Sequence, residues 1–194
     1  MNPAMTASPA TSSPLAIRPA RHEEIPALER LIAASARALS QGFYTPEEAE
    51  AAIAHVFGVD SELVDDGTYF VAAAPDDPDQ VLGCGGWSRR ATLFGSDRFA
   101  GRESGLLDPA RDAAKIRAFF IAPAAARRGV GAALLKACEE AAQKCGFART
   151  ELMATLPGLP FYAANGYVAG TETTVDCGGI PVRFVPMAKY LSMK

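Results

Sequence analysis

The sequence predicts an α/β protein built on one mixed sheet of about seven strands with flanking helices. Three observations carry this. Two strand-like runs, 68–74 and 81–88, are separated by the turn-forming stretch PDDPDQ, the pattern of an antiparallel hairpin. Two later runs, 113–122 and 150–155, flank a long helical pattern, which makes them parallel neighbours joined by a crossover. The chain is 194 residues long, the size of one domain with its own core.

The elements follow in order. Residues 1–14 are rich in proline and small polar residues and read as a disordered tail, leaving 15–194 as a single domain. A short strand covers 15–18. From 21 to 40, Ile25, Leu28, Ile32, Ser35 and Leu39 share one helix face, and Glu23 and Glu24 lie in the first turn, where the helix dipole favours anions. Gly42 ends that helix. Thr45-Pro46-Glu47-Glu48 opens a second, with Thr45 as N-cap, Pro46 at the first helical position and Glu48 completing a capping box. After the hairpin, 91–112 has little periodicity, and a loop of that length implies function or mobility. The strand at 113–122 has a nearly continuous apolar centre, which implies burial on both faces.

Residues 129–145 form the strongest helix, with Val130, Leu134, Ala137, Cys138, Ala141 and Cys145 on its apolar face and Gly146 as its C-cap. A strand at 150–155, a short helix at 159–165 stopped by Gly166, and strands at 167–175 and 182–189 complete the chain.

Composition excludes several classes of function. A formal net charge of −3 gives no general field for nucleic acid or anionic lipid, so any anion site must be local. No apolar run approaches the ~20 residues of a bilayer span, and the N-terminus lacks the regions of a signal peptide. The four cysteines (Cys84, Cys138, Cys145 and Cys177) lack metal-ligand spacing and read as reduced thiols of a cytoplasmic protein. No metal is expected.

The segment that carries chemistry is IRAFFIAPAAARRGVGAALL. The first N–H groups of a helix have no partner inside it and form an anion site. Gly129 and Gly131 let a phosphate approach the backbone, and Arg127 and Arg128 add charge, so the turn fits a diphosphate. No lysine follows the glycines, as a Walker loop requires, and GVGAAL lacks the third glycine of a dinucleotide fingerprint. A plain strand-to-helix turn is the competing reading.

Context decides between them. This run, followed by a helix, a strand and PFYAANGY, resembles the GNAT superfamily of N-acetyltransferases. In that family Gln/Arg-x-x-Gly-x-Gly/Ala binds the diphosphate of acetyl-CoA. Here the pattern falls on residues 126–131, with Gly129 and Gly131 matching and Ala126 departing from it. The resemblance implies a mostly antiparallel sheet whose strands at 113–122 and 150–155 splay apart. It implies that backbone at Phe119, Phe120 and Ile121 pairs with the pantetheine arm, and that Arg127, Arg128, Gly129, Val130, Gly131 and Ala132 hold the diphosphate.

By the same resemblance an amine attacks the thioester directly, and Tyr162 serves as general acid for the departing thiolate. Its alternative is a packed aromatic beside Phe161 and Tyr167. His22, His55, Glu103, Glu151 and a water chain all remain open as the base. The acceptor pocket is expected along 40–44, 89–112 and 177–181. Phe43, Tyr44, Trp87, Phe94 and Phe99 offer aromatic surface there, and Arg89, Arg90, Arg98 and Arg102 offer positive charge. The implied activity is acetyl transfer to an amine of a small molecule or peptide, with neither nucleic acid nor membrane as partner and with a homodimer permitted by the exposed last strands. A non-catalytic acyl-CoA-binding module is the alternative.

Overall fold

Side-chain alternation along the strands gives the sheet two buried faces, and helices cover both. The computed structural model describes residues 15–103 and 105–192; the segment read as a disordered tail lies outside them. The strands are β1 (Ala16–Pro19), β2 (Tyr69–Ala74), β3 (Asp77–Ser88), β4 (Ala114–Ile121), β5 (Arg149–Thr155), β6 (Val168–Ala169), β7 (Thr173–Cys177) and β8 (Ile180–Tyr190). The helices are α1 (Ile25–Leu39), α2 (Pro46–His55), α3 (Ser61–Asp65), α4 (Val130–Lys144) and α5 (Leu159–Ala164). No helix among the described residues is long and apolar enough to cross a membrane.

The eight strands form one sheet in the order β1-β2-β3-β4-β5-β8-β6, with β7 also paired to β8. Every pairing is antiparallel except β4 with β5, so the sheet is mixed and mostly antiparallel, as expected. On one face, Leu28 and Ile32 of α1, Ala52 of α2 and Leu63 of α3 pack on Tyr69, Val71 and Phe184. On the other, Leu135, Cys138 and Ala142 of α4 pack on Ile116, Trp87 and Leu152.

Local sequence rules account for several element ends. The Thr45 hydroxyl accepts from the Glu48 amide at 3.1 Å and the Glu48 carboxylate accepts from the Thr45 amide at 2.7 Å, the reciprocal capping box. Gly146, just past α4, has a φ of 90°.

Departures from the sequence reading have physical causes. Leu39 is exposed because it lies in the last turn of α1, while Ala36 takes an interior position. The buried stripe of α4 runs through Leu135 and Ala142, and Cys145 stands exposed at the C-cap. Helix α3 is too short for a periodic signal; the Asp60 side chain caps it by accepting from the Glu62 amide at 3.1 Å. The strand expected over 167–175 is two strands, β6 and β7. They are separated at Gly170, whose amide still donates to the Pro186 carbonyl at 2.8 Å.

The most consequential local feature is in β4. Gly86 pairs with Arg117 and Cys84 pairs with Phe120, so Ala118 and Phe119 stand opposite the single residue Gly85. This is a β-bulge, and Ala118 takes the left-handed conformation with a φ of 52°. A side chain at position 85 would collide with the Phe119 ring, which makes glycine necessary there. The Tyr69 hydroxyl, on a fully buried side chain, donates to the Ala118 carbonyl at 3.1 Å and fixes the bulge from β2.

Tyr69→Phe leaves the Ala118 carbonyl without that donor. The expected cost is about 1–2 kcal/mol, read as a lower urea midpoint at unchanged slope; an unchanged midpoint would mean that other contacts hold the bulge.

Candidate functional site

Strands β4 and β5 pair only at Ala114 with Thr150 and Lys115 with Glu151. Beyond that point the bulge turns β4, while β5 continues along β8 as far as Thr155 opposite Phe184. The strands therefore diverge and leave a cleft. One wall is β4 from Ile116 to Phe120; the other is Met153 and Thr155 of β5 with Tyr162 of α5. Phe57, Phe94 and Phe184 close it on the side of α1 and α2. At Phe120 and Ile121, β4 pairs with β3 along one edge, and its other edge has no strand neighbour among the described residues. That edge offers unpaired backbone to an extended ligand, as an added strand would use it.

From Ile121 the chain passes through one 3-10 turn (Pro123–Ala125) and reaches α4. Arg127 has a φ of 63° and Gly129, the N-cap, a φ of 81°. Left-handed residues followed by helical ones turn successive N–H groups toward one side, the arrangement of an anion nest. Among the described residues, no hydrogen-bond acceptor takes the amides of 127–132. The Arg127 and Arg128 side chains are exposed.

The two glycines have different reasons. A Cβ at Gly129 would meet nothing within 4 Å, so conformation and open approach require glycine there. A Cβ at Gly131 would stand 3.3 Å from the Phe161 ring, so packing against α5 restricts that position.

Tyr162 is 8% exposed and lines the cleft. Its ring is held edge-on by Phe119, Phe161 and Tyr167, with centroids 6.4, 5.0 and 5.6 Å away. The other buried tyrosines spend their hydroxyls on the protein: Tyr44 donates to the Arg183 carbonyl at 2.6 Å, Tyr69 to Ala118, and Tyr167 bonds Thr150 at 2.9 Å. The Tyr162 hydroxyl has no partner among the described residues. Burial raises its pKa well above the ordinary phenol value, so it carries its proton at neutral pH.

The candidate bases lie elsewhere. His22 faces Asp65 at 3.0 Å on the surface, His55 is exposed beside Gly178, Glu151 is ion-paired to Lys115, and Glu103 is exposed. None of them lines the cleft.

The expected acceptor wall is also redistributed. Phe43 and Arg89 are exposed; Tyr44 is buried, its hydroxyl also accepting from the Leu156 amide at 2.9 Å. Trp87 points to the α4 side and packs on Phe147 at 6.2 Å, because strand alternation turns it opposite to Gly86. Three arginines of 89–112 fasten that segment to the rest of the domain. Arg90 makes a bidentate pair with Asp66 at 2.8 Å, Arg98 binds Glu29 and the Phe57 carbonyl, and Arg102 reaches Asp60, Glu62 and Asp97. The loop is thus docked on the α2–α3 connection, where the Ser96 amide also donates to the Val56 carbonyl at 2.9 Å. Sequence reasoning did not find Phe57, Met153, Phe184 or Arg117 as cleft residues. An arginine inside the apolar run IRAFFI was the one available signal.

Residues 96–191 match the family model described as an acetyltransferase (GNAT) domain. The chain is similar to a solved GCN5-related N-acetyltransferase from Rhodopseudomonas palustris at 22% identity, covering 95% of this chain and 100% of that one, with a TM-score of 0.68. It is similar to the PaiA N-acetyltransferase from Thermoplasma acidophilum, solved with coenzyme A, at 17% identity over 92% of this chain and 100% of that one, with a TM-score of 0.61. A ribosomal-protein-alanine N-acetyltransferase from Brucella melitensis is similar at 16% identity over 91% and 100% of the two chains, with a TM-score of 0.58. At these identities the likeness is one of fold. Among curated proteins no significant match is found.

The Arg90–Asp66 pair that anchors the loop has a pH signature. The hydrogen bond from Arg90 holds the Asp66 carboxyl below its ordinary value. A lowered folded pKa contributes stability above the unfolded pKa, and that stability is lost as pH falls through the folded value. Asp66→Asn is expected to cost about 1 kcal/mol at pH 7, a difference that shrinks as pH falls from about 5 to 2. Denaturant titrations of both proteins across that range check it; a difference independent of pH would contradict it.

Proposed function

Since the chain belongs to the GNAT superfamily of N-acetyltransferases, we propose that it transfers an acetyl group from acetyl-CoA to a primary amine of a small molecule or peptide by direct attack on the thioester. The observation that carries this reading is a partnerless, protonated tyrosine hydroxyl in the cleft between two diverging strands, with an uncapped amide turn at the end of one of them.

Each part has a role. The amides of 127–132 receive the diphosphate, where helix dipole and unpaired N–H groups favour an anion. Arg127 and Arg128 supplement them with exposed positive charge. The free edge at Phe119, Phe120 and Ile121 pairs with the amides of the pantetheine arm, which directs the thioester toward Tyr162. The neutral amine attacks the thioester carbonyl; the carbon–nitrogen bond forms, the carbon–sulfur bond breaks, and the electron pair leaves on sulfur. The Tyr162 hydroxyl gives its proton to that thiolate, and the proton lost by the amine passes into water, from which the Tyr162 phenolate regains one. Among the described residues no carboxylate or imidazole lines the cleft, which favours an amine that enters already deprotonated. Four unpaired cysteines support a reducing, cytoplasmic setting.

Tyr162→Phe removes the proton donor and keeps the ring packing. Turnover is expected to fall about 100-fold, while the acetyl-CoA Kd and Tm stay close to those of the parent. Thiol-release kinetics with calorimetry check this. Unchanged turnover would remove Tyr162 from the chemistry, and acetyl-CoA binding without turnover on any amine would favour a sensing module.

A further inference from the structure

The cleft wall is apolar on the side away from the glycine turn, built from Phe57, Phe94, Phe120, Met153 and Phe184. Arg117 is the one charged residue lining it among the described residues. Its side chain is 1% exposed. One terminal nitrogen, Nη2, donates to the Gly95 carbonyl at 2.7 Å and stands 2.6 Å from Asp60 Oδ2. That oxygen makes no aligned hydrogen bond among the described residues, and Arg117 Nε and Nη1 have no partner there either.

Asp60 does not neutralise Arg117 alone. Its Oδ1 accepts from Arg102 at 2.8 Å and from the Glu62 amide at 3.1 Å, so this carboxylate also serves a second guanidinium and a helix end, while Arg102 has Glu62 and Asp97 as further partners. Unanswered donors on a buried cation are costly, and a buried ion pair is a weak source of stability compared with apolar packing. An apolar residue in β4 would serve the fold at least as well. The buried Nε and Nη1 point from opposite edges of the guanidinium, and each can donate one hydrogen bond to a carboxylate oxygen.

We propose that Arg117 binds a carboxylate of the acceptor, and that the acceptor is an amine carrying that carboxylate on an apolar body, the chemistry of a hydrophobic amino acid. This rests on the transferase reading above and narrows its acceptor. The aromatic wall takes the apolar body, Arg117 the carboxylate, and the amine is left to face the thioester end of the cleft.

The test compares matched amines that differ only in the carboxylate: phenylalanine with phenethylamine, and leucine with isopentylamine. Thiol release from acetyl-CoA gives kcat/KM for each, and calorimetry gives acetyl-CoA affinity separately. The carboxylate-bearing member of each pair is expected to be favoured about 10- to 100-fold, chiefly through KM once compared at equal concentration of free amine. Arg117→Lys, which keeps the charge beside Asp60, is expected to erase most of that preference and to leave the acetyl-CoA Kd unchanged. Equal or better turnover of the amines lacking a carboxylate would overturn the acceptor class and leave the transferase standing. Absence of acetyl-CoA binding would overturn both. Should Arg117→Lys fail to fold, the comparison on the parent protein decides alone.

Discussion

The structure depends on one constraint: β4 cannot pair with β5 beyond Lys115. The bulge at Ala118 and Phe119 enforces it by inserting an extra residue opposite Gly85 and bending the strand. The same residue count sets the aromatics of the cleft. Phe119 lies over the missing side chain of Gly85, and its ring packs against Tyr162. Phe161, the neighbour of Tyr162 on α5, packs in turn against Gly131 of α4. The turn that would receive the diphosphate and the hydroxyl that would protonate the thiolate are therefore fixed to one another through two aromatic rings. The separation of the α4 turn from the Tyr162 ring is thereby set by packing rather than by loops.

Unsatisfied groups concentrate around this cleft; elsewhere among the described residues the one buried side-chain polar atom without a partner is Trp87 Nε1, on the α4 face. Arg90, Arg98 and Arg102 are matched by Asp66, Glu29, Asp60, Glu62 and Asp97, and Tyr44, Tyr69 and Tyr167 bond to the protein. Along the cleft, the β4 edge, the amides of 127–132, the Tyr162 hydroxyl and two nitrogens of Arg117 are left without partners among the described residues. Buried or helix-end polar groups without partners cost stability, and strain such as the left-handed Ala118 and Arg127 adds to it. A ligand that answers several of these groups at once recovers what folding left unused.

The sequence reading followed local physics where local physics decides. The capping box at Thr45 and Glu48, the crossover from β4 through α4 to β5, and the opening of α4 at the glycine pair all rest on residues close in the chain, and all three are present. It could not see the bulge, because Ala118 is neither glycine nor asparagine and nothing in AFFI marks an extra residue. It assigned the arginines of the long loop to an acceptor, because their partners lie far away in sequence: Arg98 meets Glu29 across 69 positions and Arg102 meets Asp60 across 42. Trp87 was turned to the wrong wall because alternation fixes which residues share a face but not which face meets which helices. Arg117 was hidden as a strand residue for the opposite reason. Its meaning lies in the partners it lacks, and a linear pattern does not record them.

The central claim is that one extended ligand spans the β4 edge and the α4 turn together. Titrating the isotopically labelled protein with acetyl-CoA and following its backbone amide resonances tests this most directly. The account expects Phe119, Phe120 and Ile121 to shift with the same saturation curve as the amides of 127–132, and acetyl-pantetheine, which lacks the diphosphate, to move only the first group. Movement of the turn amides with no response along β4, or saturation of the two groups at different concentrations, would contradict it.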